Sequence, residues 1–414
     1  MRQQQFIVTL CAVGILLFAS TASAATLINS QAFLDRFFGV NTHLNNCCNG
    51  QYENTARVIS EVKYIGATHL RDGPIPMGGL LERYKTIASA TGVRFHAVIE
   101  MGSPKRQRDC LAVIDSWLKT TPGLISVIEG GNEQDTPYPK SQGATLNDTA
   151  TLQYQVYNIG QAAKVKVAQL SVGAGWMPPL WEGNYKNFGK PPADYGNAHV
   201  YPGKGQTPTF ALKYVGNLAA WSVNGKPVDV SEFGIFAGQQ TSAALTSAYI
   251  HTAPFSSYLL GHAYFSVYAL HDDSTNVVGF YDARGLPRAH AHYWHVTSRL
   301  LADPAGRNLT YRTANITFTD MRTVGKGSTG IRNVPMFKSD GSVWIAVYDE
   351  ELAGAANGAE TITLDKTYPF LQVIDGRTGA AVMTLTNARK VSVILPPNHL
   401  FFVVGASKKV AIQL

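Results

Sequence analysis

Cysteine is scarce in this chain: four in 414 residues, at positions 11, 47, 48 and 110. No Cys-x-x-Cys occurs, so the spacing of a zinc site is missing. Charge is sparse too. Asp, Glu, Lys and Arg together make 15% of residues and stand mostly alone, with Lys105-Arg-Gln-Arg108 as one short basic cluster. With no groove-reading motif beside them, these scattered cations exclude a nucleic-acid partner. Long apolar runs are also missing. The run Phe6–Phe18 is short for a membrane span, and nothing comparable follows it.

That first run has another reading. Arg2 precedes it and Ala22-Ser-Ala24 follows it, which is the pattern of a secretory signal cleaved before Ala25. Residues 1–24 are therefore expected to be a leader, and the mature chain to be secreted or periplasmic, with no membrane-spanning segment. Arg2 leaves with the leader, which takes the formal net charge from +7 to +6. A basic surface suits acidic polysaccharides or a membrane surface. Three cysteines remain, and an oxidising destination predicts one bridge from Cys47 or Cys48 to Cys110.

What the chain does have is rhythm. Between Phe37 and Leu301 short strand-like runs alternate with helical stretches, the pattern of a parallel α/β fold. Eight strands are expected: Phe38–His43, His69–Asp72, Phe95–Glu100, Ser126–Gly131, Leu170–Ala174, Gly196–Val200, Val228–Phe233 and Ala263–Ala269. Helices are expected over Tyr52–Ile65, Leu80–Thr91, Asp109–Lys119 (capped by Asp109), Gln153–Val167, Thr207–Val223 and Thr241–Leu260. Eight such units predict a (β/α)8 TIM barrel over residues 25–302. From Asp303 to Leu414 short alternating runs between turn signals predict a smaller all-β sandwich domain.

Barrel chemistry gathers at the carboxyl ends of the strands. Two glutamates stand at such ends. Glu133 closes Ser126-Val-Ile-Glu-Gly-Gly-Asn-Glu133, where the two glycines are expected to turn the chain, and Glu232 closes Val228-Asp-Val-Ser-Glu-Phe-Gly234. A carboxylate pair across a cleft is what double-displacement glycoside hydrolysis requires, one as acid/base and one as nucleophile. Either glutamate alone reads as a surface residue. Together, at strands four and seven, they read as a site.

An Asn-Glu pair ending strand four, with a second Glu ending strand seven, resembles clan A of the glycoside hydrolases over about residues 37–296. The resemblance implies Glu133 as acid/base, Glu232 as nucleophile and Asn132 as the partner of the sugar's 2-hydroxyl. Arg71, in His69-Leu-Arg-Asp72, matches the arginine that keeps the nucleophile ionised. His199 and Tyr201, in Asn197-Ala-His-Val-Tyr-Pro202, match its imidazole and aromatic neighbours. The clan's Trp at the end of strand eight is replaced here by Tyr264-Phe-Ser-Val-Tyr-Ala-Leu-His271, which offers Tyr268 or His271 instead. Gly39-Val-Asn-Thr-His43, which brings Asn41 and His43, and the C-terminal sandwich most resemble family 39. That family includes β-xylosidases and biofilm polysaccharide hydrolases.

Physical chemistry points the same way: a cation beside Glu232 lowers its pKa, and burial raises that of Glu133. Trp176, Trp181 and Tyr138 follow strands five and four, where aromatics stack on sugars or pack in the core. His290-Ala-His-Tyr-Trp-His295 is read as an amphipathic helix rather than a metal cluster. His271-Asp-Asp273 offers oxygens for calcium or sugar hydroxyls, with a solvated rim as the plainer reading. The expectation is a monomeric hydrolase of a polysaccharide or oligosaccharide, with no cofactor and no metal. Two alternatives use the same scaffold: a barrel that binds polysaccharide without cleaving it, for which a charged acid pair has no use, and a transglycosylase.

Overall fold

The computed structural model describes residues 24–45, 50–133, 135–136, 140, 142–172, 189–238, 242–272, 277–320, 330–350 and 358–410. Residues 1–23, which hold all but the last residue of the expected leader, and Cys47, Cys48, Tyr138, Trp176, Trp181 and Asp273 lie outside these residues. In chain order the first elements are β1 (Ala24–Asn29), α1 (Ser30–Phe37), β2 (Gly39–Asn41), α2 (Thr55–Ile65), β3 (His69–Asp72) and α3 (Leu80–Thr91). Next come β4 (Arg94–Ile99), α4 (Pro104–Thr120), β5 (Ile125–Gly131), α5 (Leu146–Ala163), β6 (Lys166–Ala168) and β7 (Gly196–Val200). The barrel ends with α6 (Pro208–Ser222), β8 (Val228–Phe233), α7 (Ala243–Leu259), β9 (Tyr264–Val267) and α8 (Ala289–Leu301).

Strands β2 to β9 lie side by side in the order β6-β5-β4-β3-β2-β9-β8-β7, every pair parallel. A parallel bridge between Ala168 and Tyr195, with Gln169 N donating to Tyr195 O at 2.9 Å, joins the two edges. The expected barrel is thus present. Its wall is apolar where strands meet helices, as at Leu70, Ile128, Val230 and Phe265. Its lumen is polar. His69 stacks on His96 at 4.4 Å, His96 Nδ1 lies 3.4 Å from Asp229, and Ser231 bonds Asn197.

Four details differ from the sequence expectation. The fifth barrel strand is Lys166–Ala168 rather than Leu170–Ala174, because Leu170 N leaves the sheet to donate to Gln153 Oε1 at 2.9 Å. Helix α4 starts at Pro104, with Ser103 as its cap, not at Asp109; proline at the first helical position is pre-shaped for that start. Helix α5 starts at Leu146 under a capping box of Thr145 and Asp148, seven residues before Gln153. Gly130 and Gly131 remain in β5 and do not turn the chain. A Cβ on Gly130 would meet Gln153 Oε1 at 2.0 Å and the Leu170 backbone at 2.7 Å, so close packing demands that glycine.

The remaining strands are β10 (Tyr311–Asn315), β11 (Thr317–Asp320), β12 (Ile331–Phe337), β13 (Val343–Asp349), β14 (Gly358–Asp375), β15 (Ala381–Leu395) and β16 (Leu400–Ala406). Their sheet runs β10-β1-β12-β13-β16-β14-β11, with β15 on β14. Strand β1, expected with the barrel, sits inside this sheet, antiparallel to β10 and parallel to β12. A bulge between Thr363 and Tyr368 breaks the β14–β15 ladder. Before it β14 pairs with β11, and beyond it with β16, so one long hairpin links the edge strand β11 to the interior strand β16.

Alternation along β13 explains its unbroken apolar sequence. Val343, Ile345 and Val347 fill the core of the sheet domain, whereas Trp344, Ala346 and Tyr348 join the core of the barrel. Glu350, wholly buried, accepts from Thr209 N at 2.9 Å and from Ser256 Oγ, fixing the start of α6 to the sheet. Among the described residues no helix is long and apolar enough to cross a membrane.

Candidate active site

The carboxyl ends of the barrel strands bring the predicted residues together around Arg71, which extends from β3 and is only 4% exposed. Its Nη1 donates to Glu232 Oε1 at 2.6 Å and to Asn41 Oδ1 at 2.7 Å. Its Nη2 donates to Asn132 Oδ1 at 2.9 Å. The opposite side of the guanidinium grips Glu129 in a bidentate pair, Nε to Oε2 at 2.5 Å and Nη2 to Oε1 at 2.6 Å. Glu129 is the residue that sequence reasoning missed. Its signal was a lone carboxylate inside the apolar run of β5, where strand alternation turns it toward the lumen with Gly131.

His199, at the end of β7, occupies the gap between the two glutamates. Its Nδ1 is 2.7 Å from Glu133 Oε1 and 3.3 Å from Glu232 Oε2, so one ring N–H faces both. Tyr201 Oη donates to the remaining oxygen of Glu232 at 2.6 Å. One carboxylate oxygen from each glutamate and a ring nitrogen of His199 all lie within 4.8 Å of one another. The Glu232 side chain is 6% exposed and that of Glu133 20%, so one acid is enclosed and the other faces the cleft.

The turn that presents Glu133 is made by Glu133 itself, at φ 42°, a left-handed value costly for a residue with a Cβ. Its neighbours hold it there. Glu133 N donates to Ser171 Oγ at 3.1 Å, and its carbonyl accepts from Thr136 N and Oγ1. Ser171 Oγ also donates to Asn132 Oδ1 at 3.2 Å. Asn132, Glu133 and Ser171 thus form one braced corner.

Burial works against Arg71's charge, but the carboxylates of Glu129 and Glu232 drive its pKa well above the ordinary value, so it stays cationic. Burial would raise Glu129, yet Arg71's charge and hydrogen bonds outweigh it and pull Glu129 to about 2. His199 would lose its proton on burial; Glu232's charge and bonds to Glu129 and Glu133 lift it to about 10 instead. The phenol of Tyr201 is pushed up by burial and by Glu232, so it remains a donor.

For Glu232 the balance differs from the expectation that a cation beside it lowers its pKa. Burial and the nearby Glu133 raise it, against the pull of His199 and Arg71. Burial is the largest cause, and Arg71, which also gives two donors to Glu129, does not outweigh it. Glu133, His199 and Glu232 also form the group among the described residues whose atoms are spaced to hold a metal.

The other predicted residues divide. His43 Nε2 lies 3.0 Å from Tyr268 Oη, both side chains partly exposed, and Tyr268 is edge-on to Tyr201. His271 does not stand in for the missing Trp. It is fully buried, its Nε2 2.9 Å from Glu61 on α2 and its ring edge-on to Tyr52. His290 is also enclosed, bonded to Ser247 Oγ and Gly279 O, while His292 bonds Tyr64. Cys110 is a free, buried thiol on α4, lifted to about 11 by burial.

Neither family models nor curated proteins match this chain. Solved structures do. A glucosidase from Croceicoccus marinus superposes with a TM-score of 0.58 at 10% identity, over 94% of this chain and 99% of its own. A glycoside hydrolase family 30 subfamily 8 xylanase from Clostridium acetobutylicum gives 0.57 at 12%, over 92% and 97%. A family 39 β-xylosidase from Caulobacter crescentus gives 0.56 at 13%, over 93% and 98%. The barrel with an attached β domain is therefore a fold shared with glycoside hydrolases. Family 39, singled out by the sequence, is among these neighbours.

Proposed function

We propose that this chain is a secreted, retaining O-glycosyl hydrolase that cleaves β-glycosidic bonds of a poly- or oligosaccharide. One observation carries the reading: Glu133 and Glu232 stand at strand ends on one cleft, with carboxylate oxygens within 4.8 Å of each other. That close approach supports the separation of about 5–5.5 Å between carboxyl groups used in double displacement over the about 6.5–9.5 Å of inverting enzymes.

The charges fit the chemistry. Glu129, Glu133 and Glu232 gather around Arg71 and protonated His199, and this excess of carboxylates over cations favours one proton on the Glu133–Glu232 pair, which titrates as a unit. That proton is the one a leaving oxygen needs. Arg71 and Tyr201 each donate to one oxygen of Glu232, which supports Glu232 as the carboxylate nucleophile. Glu133, open to the cleft, acts as general acid and then as base toward water. Asn132 and Asn41, held by Arg71, would meet the sugar's hydroxyls; His43 and Tyr268 would line its ring.

Azide separates the roles. Glu133→Ala should keep most of its glycosylation rate on a dinitrophenyl glycoside, accumulate the intermediate, and regain turnover with azide as the β-glycosyl azide. Glu232→Ala should lose the first step with every substrate, and any azide product should be the α-anomer. Equal loss in both variants with no azide effect sinks the assignment. First-formed product of inverted configuration by proton NMR sinks retention.

A further inference from the structure

We propose that the outward face of α6 is a second carbohydrate-binding surface, taking an extended β-linked polysaccharide chain; its ligand class rests on the glycosidase reading above. Helix α6 buries its aliphatic side, Ala211, Leu212, Val215 and Ala219, against the barrel. The large apolar residues it leaves outside are all aromatic: Phe210 is 57% exposed, Tyr214 36% and Trp221 44%. Positions 210, 214 and 221 fall within about 40° of one another around the helix, so the rings form one line.

The spacing of that line selects its occupant. Four and seven residues along a helix are about 6 and 10.5 Å, the second close to the length of a disaccharide in an extended chain. Between the rings the same exposed side carries Lys213 and Asn217, not aliphatic residues. A lipid surface calls for a continuous apolar face. A sugar chain presents C–H faces at intervals with hydroxyls between them, which matches rings separated by an amide and an ammonium.

The Trp221 end of the line is held before any ligand arrives. Lys190 Nζ sits 4.8 Å from the centroid of the Trp221 ring and bonds Asn224 Oδ1 at 2.8 Å, which orients the indole. At the other end Glu350 holds Thr209 N, next to Phe210. At Trp221 this lowers the ordering entropy that binding costs. The line starts at the catalytic end of the barrel, seven residues beyond Gly203 in the segment that follows Tyr201, and runs down the outer wall.

The test is affinity electrophoresis in native gels containing xylan, mixed-linkage β-glucan or glucomannan. Glu232→Gln is run with and without the added Phe210→Ala, Tyr214→Ala and Trp221→Ala changes. We expect at least one polysaccharide to retard Glu232→Gln, and loss of the rings to weaken that binding by about tenfold or more. Turnover of an aryl glycoside by the ring-less chain with Glu232 intact should match wild type. Retardation that ignores the rings, or no retardation of Glu232→Gln in any gel, overturns the proposal. So does a dimer by sedimentation that the ring changes convert to monomer, since the occupant is then a second copy. Ring-dependent retardation by a chain that turns over no glycoside overturns the glycosidase reading and leaves this surface standing.

Discussion

Replacing Glu129 by Gln would leave Arg71 buried with one counter-charge fewer and a fork free to rotate. Breaking a buried ion pair from one side costs about 3 kcal/mol, so Glu129→Gln should unfold at clearly lower denaturant. Its kcat should fall on the order of 10²-fold, because Arg71 then no longer presents Glu232 and Asn132 in register. A variant of unchanged stability and kcat would reduce Glu129 to a bystander. His199 supplies a pH test. It keeps its proton to about 10 in the fold, while an unfolded histidine releases its own near 6.5. Its contribution is whole below about 6.5 and lost as pH climbs toward about 10. Wild-type melting temperature should decline across that window and His199→Asn should flatten the decline; parallel slopes would refute it. Much of this site was legible because strand-end position is a sequence property: Arg71, Asn132, Glu133, His199, Tyr201 and Glu232 all converge. What hid Glu129 is that its partner is 58 residues away in sequence. His271 misled for the converse reason, since the Glu61 that buries it lies on α2, 210 residues upstream.

At the scale of elements, the stretch leaving β8 is shaped by what lies against it. A Cβ on Gly234 would meet Tyr201 Cε1 at 2.5 Å and Val277 Cγ1 at 3.0 Å. Gly234→Ala should therefore push Tyr201 off Glu232 and cut kcat by on the order of 10²-fold, with KM moving less and the thermal melt nearly kept. A large KM change with kcat intact would place the effect in substrate binding instead. The same tightness explains the elements that sequence rhythm misplaced. Apolar periodicity finds the buried middle of α4 and α5, but their starts are set by caps, Ser103 with Pro104 and Thr145 with Asp148, which carry no periodic signal. Leu170-Ser-Val172 is as apolar as a strand and entirely buried. Its hydrogen bonds, however, go to Gln153 and the Asn132–Glu133 corner, with one backbone bond from Ser171 N to Gly131 O, so burial alone could not reveal that the strand ends at Ala168.

Across the whole molecule the two domains share one core, with Trp344, Tyr348 and Phe402 of the sheet packed among Phe33, Phe255 and the barrel helices. Trp344→Ala should cost about 3–5 kcal/mol, and calorimetry should show it lowering one transition for barrel and sheet alike. Two separable transitions would mean that the shared core does not couple them. Alternating strands made the sheet domain visible in the sequence from Asp303 onward, but no local pattern says that its second position in strand order belongs to Ala24–Asn29. That strand has a consequence in time. A ribosome finishes β1 first, yet its neighbour β12 is made some 300 residues later, Ile28 pairing with Met336. Until then β1 has no sheet to enter and the sheet has a slot unfilled. A chain wired this way resists finishing its fold while it is still being made.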